Sequence, residues 1–85
     1  MKLNKISNEL AEKIIVYAEE NKGFSVFTLN DNNYTIHHRV YQNKYYDILE
    51  MNTYVEDLDK IVTTFYILDP IEVKQLLGGQ INGNK

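Results

Sequence analysis

An 85-residue chain with 44% apolar and 25% charged residues reads as a single folded domain with a shallow core, because a chain this short buries only about 60 to 65% of the surface its unfolded form exposes. It has no cysteine, which excludes disulfides, thiolate metal sites and cysteine nucleophiles and fits a reducing compartment. The net charge of −3 is uneven: Met1 to Tyr45 carries six basic and five acidic residues and Tyr46 to Lys85 three basic and seven acidic, a balance that argues against a dedicated phosphate-backbone binder.

Leu3, Ile6, Leu10, Ile14 and Tyr17 recur at three- and four-residue intervals, which predicts an N-terminal amphipathic helix of about four turns. Asn4 or Ser7 can cap its start, and Asn21-Lys22-Gly23 supplies a cation and a glycine for its end. Lys5, Glu9 and Lys13 form a four-residue ladder that reads as a solvated face. Phe24 to Leu29 is rich in β-branched and aromatic residues, and the Asn30 to Asn33 cluster after it tolerates left-handed backbone. With Asp31-Asn32 as a two-residue loop, Leu29 faces Tyr34 and Phe27 faces Ile36. A second hairpin follows, from Tyr34 to Asn52. With Gln42-Asn43-Lys44 as its loop, Val40 faces Tyr46, Arg39 faces Asp47 and His38 faces Ile48. Side chains alternate along a strand, so Phe27, Leu29, Tyr34, Ile36, Val40, Tyr46 and Ile48 would pack under the helix. The opposite face would carry Val26, Thr28, Thr35, His37, Arg39, Tyr41, Tyr45, Asp47, Leu49 and Met51, too mixed for water alone.

Thr53 to Glu56 is a capping-box pattern, while Ile61 to Leu68 consists almost wholly of strand formers, so residues 54 to 59 are expected as a helical turn and 61 to 68 as a fourth strand. A continuous helix over Val55 to Leu68 is the alternative. Asp69-Pro70-Ile71-Glu72 places an N-cap, a proline at the first helical position and a glutamate three residues after the cap. The short C-terminal helix it starts is expected to stop at Gly78-Gly79, with residues 80–85 as a disordered tail. The expected architecture is therefore α+β, one domain over 1–79: an N-terminal amphipathic helix on an antiparallel meander of three to four strands, with a short C-terminal helix whose few apolar residues leave part of a sheet face open.

Adjacent residues of a strand point to opposite faces, so His37 and His38 cannot chelate one ion; His37 can reach Asp47 or Glu50 across the hairpin, at most a two-ligand site. Ser25 can fall across from His38, but no glycine-built oxyanion hole stands nearby. Glu56, Asp57 and Asp59 read as solvated acids rather than a catalytic pair, and the glycines lack the spacing of a phosphate loop. The chain is thus expected to be no enzyme and to hold neither cofactor nor metal. No run reaches the roughly 18 apolar residues of a membrane span, and MKLNKISNEL lacks the apolar block of a signal peptide, so a cytoplasmic location with no membrane partner is expected.

The favoured function is a small protein-binding module that inhibits or regulates another protein. Its contact would be the open sheet face, with Arg39, Tyr41 and Tyr45 near the centre and Asp47 beside them. Glu50, Glu56, Asp57 and Asp59 would form an acidic rim that steers association towards a basic partner, such as a nucleic-acid enzyme. Asn, Lys, Ile and Tyr have AT-rich codons, pointing to a low-GC bacterium or its phage. Size, mild acidity and helix-plus-sheet design together resemble the small phage proteins that block host defences, of the anti-CRISPR or antirestriction type, a likeness of architecture that transfers no residue. Two rivals stand beside it: nucleic-acid binding by Arg39, Lys44, Tyr41, Tyr45 and Tyr46 at the hairpin tip, and a homodimer through the same face or through edge strands.

Overall fold

The computed structural model describes residues 3–82, with side chains over 3–78. The chain forms β1 (Asn4–Ile6), α1 (Asn8–Val16), β2 (Glu20–Leu29), β3 (Asn32–Tyr41), β4 (Lys44–Val55), β5 (Lys60–Leu68) and α2 (Pro70–Asn82), with a 3-10 turn at Glu56–Leu58. The strands make one antiparallel sheet in the order β1-β5-β4-β3-β2. This corrects the expected helix on three to four strands. The molecule is mostly sheet, with five strands, a strand before the first helix, and one short helix on each face.

Two local features explain the shorter α1. Ser7 accepts the Leu10 N–H at 3.1 Å with extended backbone (φ −67°, ψ 150°), so the helix begins after it and Asn4 to Ile6 pair with β5 instead. Gly23, expected as a helix stop, has φ 90° and serves a β-bulge between Asn21 and Phe24 in β2. Because β1 and β2 are opposite edges, the connection between them must cross four strand spacings, about 19 Å. Nine helical residues supply about 14 Å of that. α1 is therefore laid across one sheet face by topology.

Both hairpins close with two-residue loops of positive φ, Asn30 and Asp31 (52° and 67°) and Gln42 and Asn43 (51° and 62°), the type I′ geometry that matches strand twist. In the first hairpin the pairing is Phe27 with Tyr34 and Leu29 with Asn32. That is two residues from the expected register, so the faces are unchanged. In the second, Val40 pairs with Tyr45 and His38 with Asp47, one residue from expectation. A one-residue slip turns every β4 side chain to the other face. Ile48 and Tyr46 lie under α1 as expected, in or against a core of Ala11, Ile14, Ile48 and Phe65, but Phe27, Leu29, Tyr34, Ile36 and Val40, expected beside them, face the other way, where Phe27, Ile36, Leu49 and Leu68 form a second core beneath Val73, Leu76 and Leu77 of α2.

The strand expected over 61 to 68 is β5, but the turn expected over 54 to 59 shrinks to Glu56–Leu58, because β4 runs on to Val55 and the Thr53 to Glu56 capping box does not form. The start of α2 follows expectation: the Asp69 carboxylate accepts the Glu72 N–H at 2.8 Å and the Glu72 carboxylate accepts the Asp69 N–H at 2.9 Å. The helix does not stop at Gly78-Gly79 but runs on to Asn82. Glycine costs a helix about 1 kcal/mol without forbidding it. Of the expected tail, residues 83–85 lie outside the described residues. No described helix is long and apolar enough to cross a membrane.

Candidate functional site

The eight residues expected at the contact surface do not come together. Arg39, Tyr41 and Glu50 lie on the α1 face, Tyr45 and Asp47 on the α2 face, and Glu56, Asp57 and Asp59 at the β4–β5 turn. Arg39, expected at the centre of an open face, is only 7% exposed. Its Nε donates to the Ile15 carbonyl at 3.1 Å, and one terminal nitrogen donates to the carbonyls of Gly23 (2.7 Å) and His38 (2.9 Å). The guanidinium thereby satisfies a carbonyl of the last turn of α1 and one at the bulge of β2. Tyr41 is half-buried against the α1 core. The hairpin tip imagined for nucleic acid has thus lost its arginine, and Lys44 sits over the Tyr46 ring, 5.3 Å from its centre.

On the α2 face the register brings Ser25, His38, Asp47 and Tyr45 into one network across three strands. His38 Nδ1 lies 2.5 Å from Asp47 Oδ1, and Ser25 Oγ lies 2.8 Å from His38 Nε2. Tyr45 donates to Asp47 at 2.7 Å. An imidazole with its proton on Nδ1 donates to the Asp47 carboxylate and accepts the Ser25 hydroxyl on Nε2. The connectivity is that of a nucleophile, base and orienting acid. Its setting differs: Ser25 lies within a strand rather than at an exposed turn or helix N-terminus, and of the four residues only Tyr45 lines one of the main clefts, beside Asn4, Tyr46 and Ile67. Its clear effect is to tie β2, β3 and β4 in register.

Burial, then the hydrogen bond to Asp47 and its negative charge, push the Tyr45 hydroxyl up from 10.0 to about 12. A group with a raised folded pKa contributes stability below its unfolded value and loses it as pH rises through the folded one, so Tyr45 costs stability between about pH 10 and 12. Following tyrosinate absorbance, we expect Tyr45 to ionise late among the seven tyrosines, and Asp47→Ala to bring it part of the way back, burial remaining. Titration of Tyr45 at 10 in the native protein would contradict the network.

On the α1 face His37 Nε2 meets Glu50 Oε1 at 2.8 Å, and Asn52 donates to Glu50 Oε2 at 2.9 Å. Burial acts to raise the Glu50 carboxyl, but the bonds from Asn52 and His37 and the charge of His37 outweigh it and hold the group below its ordinary range. Glu50 also lines a cleft of about 490 Å³ beside α1, with Asn8, Glu12, Ile15, Val16, Thr63 and Phe65. The two histidines thus serve different faces, each with one carboxylate. No cluster of three metal-ligating side chains exists among the described residues.

The acids at the β4–β5 turn have the most open setting. β4 pairs with β3 only as far as Glu50, and from Met51 to Val55 its described pairing is with β5 alone. The end of this hairpin is a two-stranded arm. Its exposed apolar residues are Tyr54 (56%), Leu58 (59%), Ile61 (65%) and, less so, Val62. Tyr54 stands directly opposite Ile61, an aromatic and β-branched pair. The Tyr54 hydroxyl donates to Asp59, whose left-handed backbone (φ 50°) ends the 3-10 turn, and that bond raises the Tyr54 hydroxyl above its ordinary value. Glu56, Asp57 and Asp59 lie exposed in the turn that joins the two strands of this arm. The sequence reading found the acids but missed their apolar neighbours, although Tyr54, Leu58 and Ile61 alternate with them along the chain. Compared with protein-family models, curated proteins and solved structures, the chain gives no match.

Proposed function

We propose that the protein is a small, non-catalytic protein-binding module that inhibits or regulates a partner by seating the β4–β5 arm in an apolar, basic-rimmed site, such as one on a nucleic-acid enzyme. The observation that carries this reading is the coincidence of exposed Tyr54, Leu58 and Ile61 with Glu56, Asp57 and Asp59 on one protruding hairpin end. Scattered exposed apolar residues need no explanation, whereas exposed aromatic and aliphatic residues grouped with carboxylates on one hairpin end have the composition of a contact with an apolar centre and a charged rim. The Tyr54–Asp59 hydrogen bond holds the tip in shape before contact, which lowers the cost of ordering it. Carboxylates at the rim would act on the association rate more than on the lifetime of the complex.

The test is affinity capture from a low-GC bacterial lysate with and without nuclease, with wild type beside Tyr54→Ala and the triple variant Glu56→Lys, Asp57→Lys, Asp59→Lys. We expect one protein that survives nuclease, weakened by about 2 kcal/mol, or roughly 30-fold, in Tyr54→Ala. With the captured protein purified, the triple variant should slow association and abolish its salt dependence. Capture indifferent to both variants, or lost on nuclease treatment, would sink the reading.

A further inference from the structure

We infer that Ser25 is a base-activated nucleophile, a modification site that takes one acyl group from a pre-activated donor and keeps it as an ester. The inference goes beyond the arm and does not rest on it. The chain has two serines, and their settings differ. Ser7 is exposed and caps α1; its oxygen accepts the Leu10 N–H, and its hydroxyl meets no base among the described residues. Ser25 is half-buried, and its Oγ lies 2.8 Å from His38 Nε2 with no other hydrogen-bond partner among the described residues. With the imidazole proton on Nδ1, held by Asp47 at 2.5 Å, Nε2 is open to the hydroxyl proton and the Oγ lone pairs are free for attack. Ser25, His38 and Asp47 stand on β2, β3 and β4, so one sheet fixes all three, and the bond from Tyr45 at 2.7 Å steadies the carboxylate.

The step balances on these groups and the donor alone. Oγ attacks the acyl carbon while its proton passes to His38 Nε2. A C–O bond to Ser25 forms, the bond from the acyl carbon to the leaving group breaks, and the leaving group departs with the electron pair. The imidazolium, stabilised by Asp47, then gives its proton to water. What Ser25 lacks is the rest of a hydrolase. None of the main clefts is lined by it, and it stands outside the turn or helix N-terminus that builds an oxyanion hole, where each missing donor costs about 100- to 1000-fold. The donor must therefore bring its own activation, as an aryl ester or a thioester does. The plain ester left on Ser25 has none, so it stays, and the product is a singly acylated chain.

The probe is p-nitrophenyl acetate, added to the purified full chain, with acetylated peptides followed by mass spectrometry. Ser7 is the internal control for an ordinary hydroxyl. Ser25 should be acetylated about 100-fold faster than Ser7, the usual contribution of a general base, and His38→Ala should remove that advantage. Asp47 is a positioning residue, and Asp47→Asn tests it while keeping the shape of the network. The new amide can donate to Nδ1, which leaves the imidazole proton on Nε2 and no acceptor for the hydroxyl. Acetylation of Ser25 should then fall to the level of Ser7 with an unchanged far-ultraviolet spectrum, an outcome that a merely structural carboxylate would not give. Equal acetylation of the two serines in wild type, or an unchanged Ser25 rate in Asp47→Asn, would overturn the inference. These readouts need no partner, so failure of the arm variants in capture would leave them untouched.

Discussion

Arg39→Ala is expected to destabilise the fold by about 3 kcal/mol, the cost of leaving buried groups without their charged partner. A domain of this size has about 4 to 13 kcal/mol in total, so the change removes a quarter or more of it. The three accepting carbonyls belong to different elements. Ile15 belongs to the last turn of α1, Gly23 to the bulge of β2 and His38 to β3, so one guanidinium joins the crossing helix to two strands. A cation near a helix C-terminus is also favoured by the helix dipole. Alanine would strip the donors from all three carbonyls and open a void beside Ile15. Lysine would not restore them, since one ammonium lacks the planar fork that reaches carbonyls in different directions. Urea unfolding would read this as a fall in midpoint of about 2 M for either variant. A shift under about 0.5 M for Arg39→Ala would mean that water takes over those carbonyls and that the guanidinium is a surface group.

Asp47→Ala should cost a similar amount, about 3 kcal/mol, because it removes the shared acceptor of His38 and Tyr45 from a site that is 7% exposed. Asp47→Asn keeps the shape and one acceptor oxygen and should cost about 1 kcal/mol. Since Ser25, His38, Asp47 and Tyr45 act as a unit, His38→Ala and Asp47→Ala should be less than additive, with a coupling on the order of 1 to 2 kcal/mol in a double-mutant cycle. Additive effects would show that the pair does not act together in stabilising the fold. Full stability in Asp47→Ala would remove the claim that this network pins the register of the three strands.

These two variants test the same structural fact from opposite faces of the sheet. Arg39 and Asp47 were both expected in an exposed contact, and both are buried because the sheet is covered twice. The proposed contact then falls to a part of the sheet with exposed apolar residues, the β4–β5 arm. Glu56, Asp57 and Asp59 keep the place the sequence assigned them, on the surface. Their partners in the proposed site are local in sequence but could not be read as exposed, since Tyr54, Leu58 and Ile61 have the composition of a core.

Local signals were legible wherever a residue acts on its own neighbours. The Asp69 to Glu72 box, the Ser7 cap, the polar turn between two strands and the opposite orientation of His37 and His38 all depend on chain geometry within a few residues. The pairing of β4 with β3 was not legible, because Gln42-Asn43 lacks the glycine that marks a two-residue loop, and the three-residue loop Gln42-Asn43-Lys44 expected instead shifts the register by one. A strand buried on one face would have resolved that choice through its alternation, but β4 is apolar on both sides, Ile48 towards α1 and Leu49 towards α2. Either parity buries good core residues. The sequence by itself therefore determined the caps, most of the strands and the acidic turn, because short-range backbone geometry dictates them. The tertiary structure decided which helix each sheet face meets, that Arg39 closes a helix end and that Asp47 joins the Ser25 and His38 pair, because those depend on contacts between residues far apart in the chain.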